Sequence, residues 1–348
     1  MKQLKSIVAV VAGLFAFTSV QAGELSVTGS MQATYQSQPE AVTGNSLGMN
    51  TDLTFSGSTD TDFGTATWTM ATDGTFLGES GADHTFKVAT DMGTIGIGNS
   101  GDAANAVDDI TPSAFEEANG SGSGAYTEDF GSGMDGSMSL NYANGDLFGT
   151  GVSVAYNYYP QLDAKTNNEK GASANTGTNS ENASSAQSVN VGLPLAGLPI
   201  VGNTPLGGMK ITAGYNESDA RTVNGTAKRG GTVAVNLPVG PLSVGFQKKA
   251  YQPLGATVSE ANKVFYKDDI IGVAYAMNDD FAISYNVIES VKHLHSAGTT
   301  VEQESKAINF AYTVGGLTLG VQDAKTSNSG YVLNTDKDSR TISVKTAF

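Results

Sequence analysis

The chain has no cysteine, one tryptophan and three histidines, and only 15% of its 348 residues are charged. Without cysteine there is no disulfide, no zinc–thiolate site and no thiol nucleophile. Charge is sparse against the roughly 25% of ordinary soluble domains. Basic charge is sparser still, since 19 Lys and Arg stand against 34 Asp and Glu, a net charge of −15. Phosphate backbones demand the opposite balance, so nucleic acid is excluded as a partner. Mean hydropathy is −0.15, and beyond the first residues no uncharged apolar run reaches the ~18 residues of a membrane helix. What the chain does have is 43 Gly, 13 Tyr and 14 Phe within a 39% hydrophobic composition. Such anchors are absent from disordered, charge-driven chains. A secreted β protein or a membrane β-barrel remains, and large barrels run to this length as one domain.

Lys2 and Lys5 precede an apolar stretch from Ile7 to Phe17, and Val20-Gln21-Ala22 supplies small residues where a signal peptidase reads. Residues 1–22 are therefore expected to be a cleaved export signal, leaving 23–348 as a single barrel domain.

Two-residue alternation starts at once, with Leu25, Val27, Met31, Ala33 and Tyr35 opposite Ser26, Thr28, Ser30, Gln32 and Thr34. That is a strand with one apolar and one polar side. Similar segments recur sixteen times, down to Ile342-Val344-Thr346-Phe348. An early turn is expected at Ser58–Asp62. Short connections alternate with long ones, as in outer-membrane barrels with short periplasmic turns and long extracellular loops. The fold class predicted is all-β, a transmembrane antiparallel barrel of about 16 strands; a soluble sandwich shares the alternation but not the loop rhythm. In lipid the apolar face turns outward and the polar face inward. Asn141, Asn157, Asn190, Asn216, Asn236, Gln247, Asn286, Asn309 and Gln322 are then expected to line water. Tyr158, Tyr215, Tyr251, Tyr275, Tyr285 and Tyr312 read as girdle residues at the membrane interfaces.

Residues 99–133 break the pattern. Asp102, Asp108, Asp109, Glu116, Glu117, Glu128 and Asp129 place seven negative charges there with no Lys or Arg. A strandless interval of this length is functional or disordered. Folded inward, it narrows a pore, and carboxylates at a constriction favour cations. Lumen-facing Asp52 adds to the acidic side. The basic residues that parity puts in the lumen are Lys87, Lys210, Lys249 and Lys345. Lys87 lies nearest mid-strand and is expected to face the acidic loop; Lys210 and Lys345 belong to the short-turn rim and Lys249 to the long-loop rim.

Other signals carry less. Gly96-Ile97-Gly98-Asn99-Ser100-Gly101 matches a dinucleotide-binding string, but no helix follows it. His293 and His295 share a strand face without a third ligand at fixed spacing, so no metal is assigned. No G-x-S-x-G or triad pattern supports an enzyme, and no cofactor is implied.

The leader ending Val20-Gln21-Ala22, the opening Leu25-Ser26-Val27-Thr28-Gly29, the string Gly93-Thr94-Ile95-Gly96-Ile97-Gly98 running into Ala106-Val107-Asp108-Asp109-Ile110, and the terminal Phe348 resemble the general diffusion porins of the Gram-negative outer membrane. The resemblance implies a sixteen-stranded barrel, usually a homotrimer, with the third long loop inside it, passing small hydrophilic solutes and ions. It also implies outer-membrane lipid and lipopolysaccharide as surroundings, and Phe348 as part of the signal read by the barrel assembly machinery. The family often carries an arginine ladder opposite the loop. Here no Arg precedes Arg221, which points to a cation-preferring pore. An adhesin or structural barrel with a plugged lumen is the other expectation.

Overall fold

The computed structural model describes residues 25–37, 46–72, 83–99, 101–120, 122–125, 134, 136–162, 185–197, 202, 204–219, 227–253, 264–294 and 300–348. The expected export signal, Glu128, Asp129, Arg221 and His295 lie outside them.

Sixteen strands follow one another: β1 (Leu25–Ser37), β2 (Leu47–Thr61), β3 (Gly64–Thr72), β4 (Asp83–Thr90), β5 (Gly93–Gly98), β6 (Ser139–Asn144), β7 (Ser153–Tyr159), β8 (Ala186–Pro194), β9 (Lys210–Ser218), β10 (Lys228–Val239), β11 (Leu242–Gln252), β12 (Val264–Ala276), β13 (Phe281–Leu294), β14 (Thr300–Val314), β15 (Leu317–Ser327) and β16 (Lys337–Ala347). Each pairs antiparallel with its chain neighbours, and β1 pairs with both β2 and β16, so the sheet closes and has no free edge. Closure is what lipid demands, because a backbone N–H or C=O facing hydrocarbon has no water to bond.

The seam is tight. Phe348 and Gly29 exchange both backbone hydrogen bonds at 2.9 Å. A Cβ on Gly29 would stand 2.8 Å from the Phe348 ring and 2.7 Å from the Asp52 carbonyl oxygen, so only glycine fits there.

Several expectations shift. Ser58–Thr61 continue β2, and the turn is Asp62–Phe63. The strand is prolonged by the ladder to β3, where Asp60 accepts a bond from the Thr65 hydroxyl. Tyr215, Tyr275, Tyr285 and Tyr312 are exposed on the outer face. Tyr251 is not a girdle residue: it shares a face with Gln247 and Lys249 and is buried inside the barrel.

Candidate functional site: the loop across the lumen

The segment between β5 and β6 lies inside the barrel. A single 3₁₀ turn, Asn105–Val107, is its only regular element among the described residues, so its position rests on what the wall offers its backbone. The wall offers amides. Asn190 donates to the Ala103 carbonyl at 2.5 Å, Gln247 to the Val107 carbonyl at 3.0 Å and also to that of Asp108, and Asn236 to the Ile110 carbonyl at 2.8 Å. Asn286 reaches the Pro112 carbonyl at 3.0 Å, and Gln322 the Glu117 carbonyl at 2.8 Å. The Ser284 hydroxyl accepts from the Ala114 N–H at 2.9 Å. These side chains stand on β8, β10, β11, β13 and β15, so the loop sweeps across that half of the barrel. Gln247, Asn286, Asn309 and Gln322, expected to line water, are fully buried beneath it. A loop without its own ladder leaves carbonyls unpaired, and each buried one that is satisfied avoids a cost of about 1–3 kcal/mol.

Inward-facing glycines make the bed on which the backbone lies. A Cβ on Gly214 would meet Val107 at 2.6 Å; on Gly272 the Pro112 carbonyl at 2.7 Å; on Gly320 the Phe115 ring at 2.5 Å. On Gly245 it would collide with the Pro112 ring. Two apolar clusters complete the attachment. Ala104 packs with Tyr251, Tyr266 and Tyr331, and Ala118 with Ile270, Ile288, Ala307 and Ala324. Ile270 and Ile288 are lumen-facing aliphatics, and the doublets Ile270-Ile271 and Val287-Ile288 are the sequence signal for them: both neighbours are apolar where alternation requires one polar.

The acidic residues divide. Asp102 is buried against β8, accepting from the Ser188 hydroxyl and, at 2.9 Å, from the Ala104 N–H. Burial raises its carboxyl above the ordinary range, and these two donors pull it back. Glu117 is buried and folds onto Thr111, taking its N–H at 2.9 Å and its hydroxyl. Burial, reinforced by the charge of Asp109, pushes it up to about 7, and its second oxygen has no hydrogen-bond partner among the described residues. Burial also raises Glu116, which is half-buried. Asp109 alone of the five described loop acids is exposed.

Among the described residues the cation that forms ion pairs with the loop acids is Lys249, not Lys87, and buried Lys228 adds its charge near Asp102. The Lys249 ammonium, itself buried, lies 2.8 Å from Asp108, 3.4 Å from Asp109 and 3.9 Å from Asp268. Burial raises the Asp108 carboxyl and Lys249 draws it down. Lys87 stands exposed on β4 and forms no ion pair among the described residues. Asp52 on β2 accepts from Ser30 and from Asn50, both at 3.0 Å. Lys210 sits at the first residue of β9, and Lys345 faces Gln32 across the β1–β16 seam. Neither reaches the loop acids by an ion pair among the described residues. Of the histidines, His293 stacks on Phe265 on the outer face, centroids 4.4 Å apart, and no metal-binding cluster occurs among the described residues.

No protein-family model matches the chain, and no curated protein does. Solved structures do. An outer-membrane protein of Vibrio cholerae, OmpT with its loop L8 deleted, superposes with a TM-score of 0.66 at 12% identity, covering 94% of this chain and all of that one. OmpF of Salmonella typhi, in complex with daunomycin, gives 0.62 at 15% identity, covering 94% and 98%. The anion-selective porin of Comamonas acidovorans gives 0.61 at 10% identity, covering 94% and 100%. At such identities the likeness is one of fold: the chain is a closed sixteen-stranded antiparallel β-barrel of the architecture found in outer-membrane porins.

Proposed function

We propose that the protein is an outer-membrane porin, a water-filled passive channel for small hydrophilic solutes that prefers cations. The observation that carries this reading is the one-sidedness of the lumen. Among the described residues the loop lies along β8–β15 and meets Lys337 of β16 and Gln36 of β1 at Gly124 and Gly122, while the inward side chains of β1–β3 are not buried, which supports a path past the loop. Facing that path are the exposed Asp109 and Lys87 and the half-buried Asp52. Asp102, Asp108 and Glu117 act less as a lining than as part of the loop's attachment, with Asp108 neutralised by Lys249. Arg is absent from the described β1–β9, so the balance along the path is acidic, and fixed carboxylates enrich cations. The fold does not set the sign, since the Comamonas structure is described as anion-selective.

Planar-bilayer recording in a salt gradient tests both halves of the reading. A discrete open conductance with a cation-directed reversal potential is expected; absence of conductance would overturn the channel, and an anion-directed potential the selectivity. The outward faces of β1–β8 also suit contact with further copies of the chain in a homotrimer, to be checked by native mass spectrometry. Lipopolysaccharide of the outer leaflet is the proposed surround of the rest.

A further inference from the structure

A second long connection reaches the loop in the lumen. Between β15 and β16, at the long-loop end of the barrel, residues 328–336 form a compact turn. It is closed on itself: the Ser329 N–H donates to the Thr335 carbonyl at 2.7 Å, and the Asn334 N–H to the Asn328 side chain at 3.0 Å. Its backbone is also strained. Asn328, Tyr331 and Asn334 have φ of +53°, +60° and +60°, three of the four positive values at non-glycine positions among the described residues. Asparagine tolerates that region; for a residue as bulky as tyrosine it is a genuine outlier. Strain of this kind persists only where the surroundings enforce it, and it clusters at functional sites.

What the strain achieves is the direction of one side chain. Val332 and Leu333 are exposed, whereas Tyr331 is turned into the barrel and buried. Its ring packs with Tyr251, Tyr266 and Ala104, the last belonging to the lumen loop. Its hydroxyl lies 2.6 Å from that of Ser290. Ser290 already donates its proton to Asp268, a carboxylate being an acceptor only, so Tyr331 is the donor of the pair. Asp268 in turn faces Lys249 at 3.9 Å, and Lys249 holds Asp108 and Asp109 of the loop. One polar chain thus runs from the turn to the loop's ion pairs. A second contact lies further along the loop, where the Ser329 hydroxyl donates to the Gly124 carbonyl at 2.5 Å. The turn is itself fixed to the wall, since the Gly330 N–H bonds the Gln303 side chain of β14 at 2.9 Å.

We infer that residues 328–336 are a clasp that holds the lumen loop in place from the outer mouth, with Tyr331 and Ser329 as positioning residues that grip it at Ala104 and at Gly124. The inference rests on the channel reading above and adds a control to it. Wall amides hold the loop between Ala103 and Glu117; the clasp adds Gly124, beyond the last of them. The width of the path is then set by a turn at the mouth as well as by the wall beneath the loop.

Because the chain has no cysteine, a single introduced thiol reports on the loop without background. The test uses the full chain folded in neutral detergent. It carries Ala104→Cys, in the Tyr331 cluster, or Ala118→Cys, in the cluster on β12–β15, both fully buried positions, and a small hydrophilic maleimide measures their exposure. In Tyr331→Gly the ring is lost while the backbone is relaxed, since glycine takes a positive φ without strain. Labelling at position 104 should then rise on the order of a hundredfold, from the lost burial of the ring, and stay slow at position 118. Tyr331→Phe keeps the ring and removes the donor, so a rise of about fivefold is expected. Single-channel conductance should become larger or noisier in the same order, while the heat-dependent gel mobility of the barrel stays near that of the wild type. Hydrogen exchange at 105–107 in the cysteine-free variants gives the same reading should a reporter fail to fold. Unchanged labelling at position 104 in Tyr331→Gly would overturn the clasp, and so would equal acceleration at 104 and 118, the mark of general loosening. Selective labelling at 104 in a protein that conducts nothing would leave the clasp standing and overturn the channel.

Discussion

The two walls of the lumen are made of the same strand chemistry and do opposite things. On β9–β15 the inward residues include glycines, amides and aliphatics set among Ser and Thr, with Lys249 and Asp268, and most are buried; on β1–β3 they are mainly Ser, Thr, Gln, Asn and Asp, nearly all unburied. Polar inward residues are required of both walls by the membrane fold. What separates them is the spacing of small and amide side chains. Gly214, Gly245, Gly272 and Gly320 let a backbone approach, and Asn190, Gln247, Asn286 and Gln322 give its carbonyls donors. A lumen wall can thus serve as a binding surface for the chain's own loop, and the pore is what that surface leaves over.

The largest test of this division is removal of a lysine from each wall. Lys249→Met strands buried Asp108 and Asp268 without their counter-ion, and breaking a buried pair from one side costs about 3–5 kcal/mol. The heat-dependent gel mobility of the folded barrel should shift to markedly lower temperature, and channel recordings should become noisy as the loop detaches. Lys87→Met, on the uncovered wall, should change stability by less than about 0.5 kcal/mol while moving the reversal potential further toward cations. Similar thermal shifts in the two variants would mean that the walls do not differ as described.

Next in size is a collision under the loop. Gly320→Val puts a branched side chain where the Phe115 ring lies, and overpacking of this kind costs about 1–3 kcal/mol. Displacement of the loop from its bed should raise single-channel conductance. An unchanged conductance together with an unchanged melting profile would show that the loop does not rest on Gly320.

Gln247→Leu is a subtler version of the same attack. It preserves volume but leaves the Val107 and Asp108 carbonyls without their donor, at about 1–3 kcal/mol. Hydrogen exchange at the 3₁₀ turn 105–107 should accelerate, with little change in the strands. Exchange that accelerates equally in β2 would point to global loosening instead.

Much of the fold is legible in the sequence, and what is not legible has physical causes. Period-two alternation and the short–long rhythm of connections carry the sixteen strands, because pleat geometry and lipid exposure impose both. Parity gives the face of the inward amides but not their partner: it tells that Gln247 points inward, and nothing in it tells whether water or the Asp108 carbonyl meets it. Mid-strand height favours Lys87 in the sequence, whereas the loop's path and Asp268 beside it on β12 select Lys249. A tyrosine near a strand end fits a girdle, but the spacing of Tyr251 from Gln247 fixes it inside. The charges on the outer face of β12–β14 are invisible to periodicity, because charged and apolar residues share that face, and only the cross-strand register aligns Asp269, Glu289 and Glu304.

The smallest expected effect concerns Glu117 and its titration. Its carboxyl is held at about 7 against an ordinary value of 4.5, so the docked loop binds a proton that the unfolded chain has released. The sign follows: this group's contribution to docking is complete below about pH 4.5, and it is lost as pH rises through about 7. The same rise adds a negative charge to the loop, so cation preference should strengthen between pH 6 and 8 while the melting temperature of the barrel falls slightly. Glu117→Gln keeps the acceptor for Thr111 and removes the proton, and it should flatten both trends without lowering conductance. Trends that persist in Glu117→Gln would move the titration to another loop carboxylate. Buried Asp102 is then the next group to replace, since its carboxyl is raised by the same burial and it docks the other end of the loop, on β8.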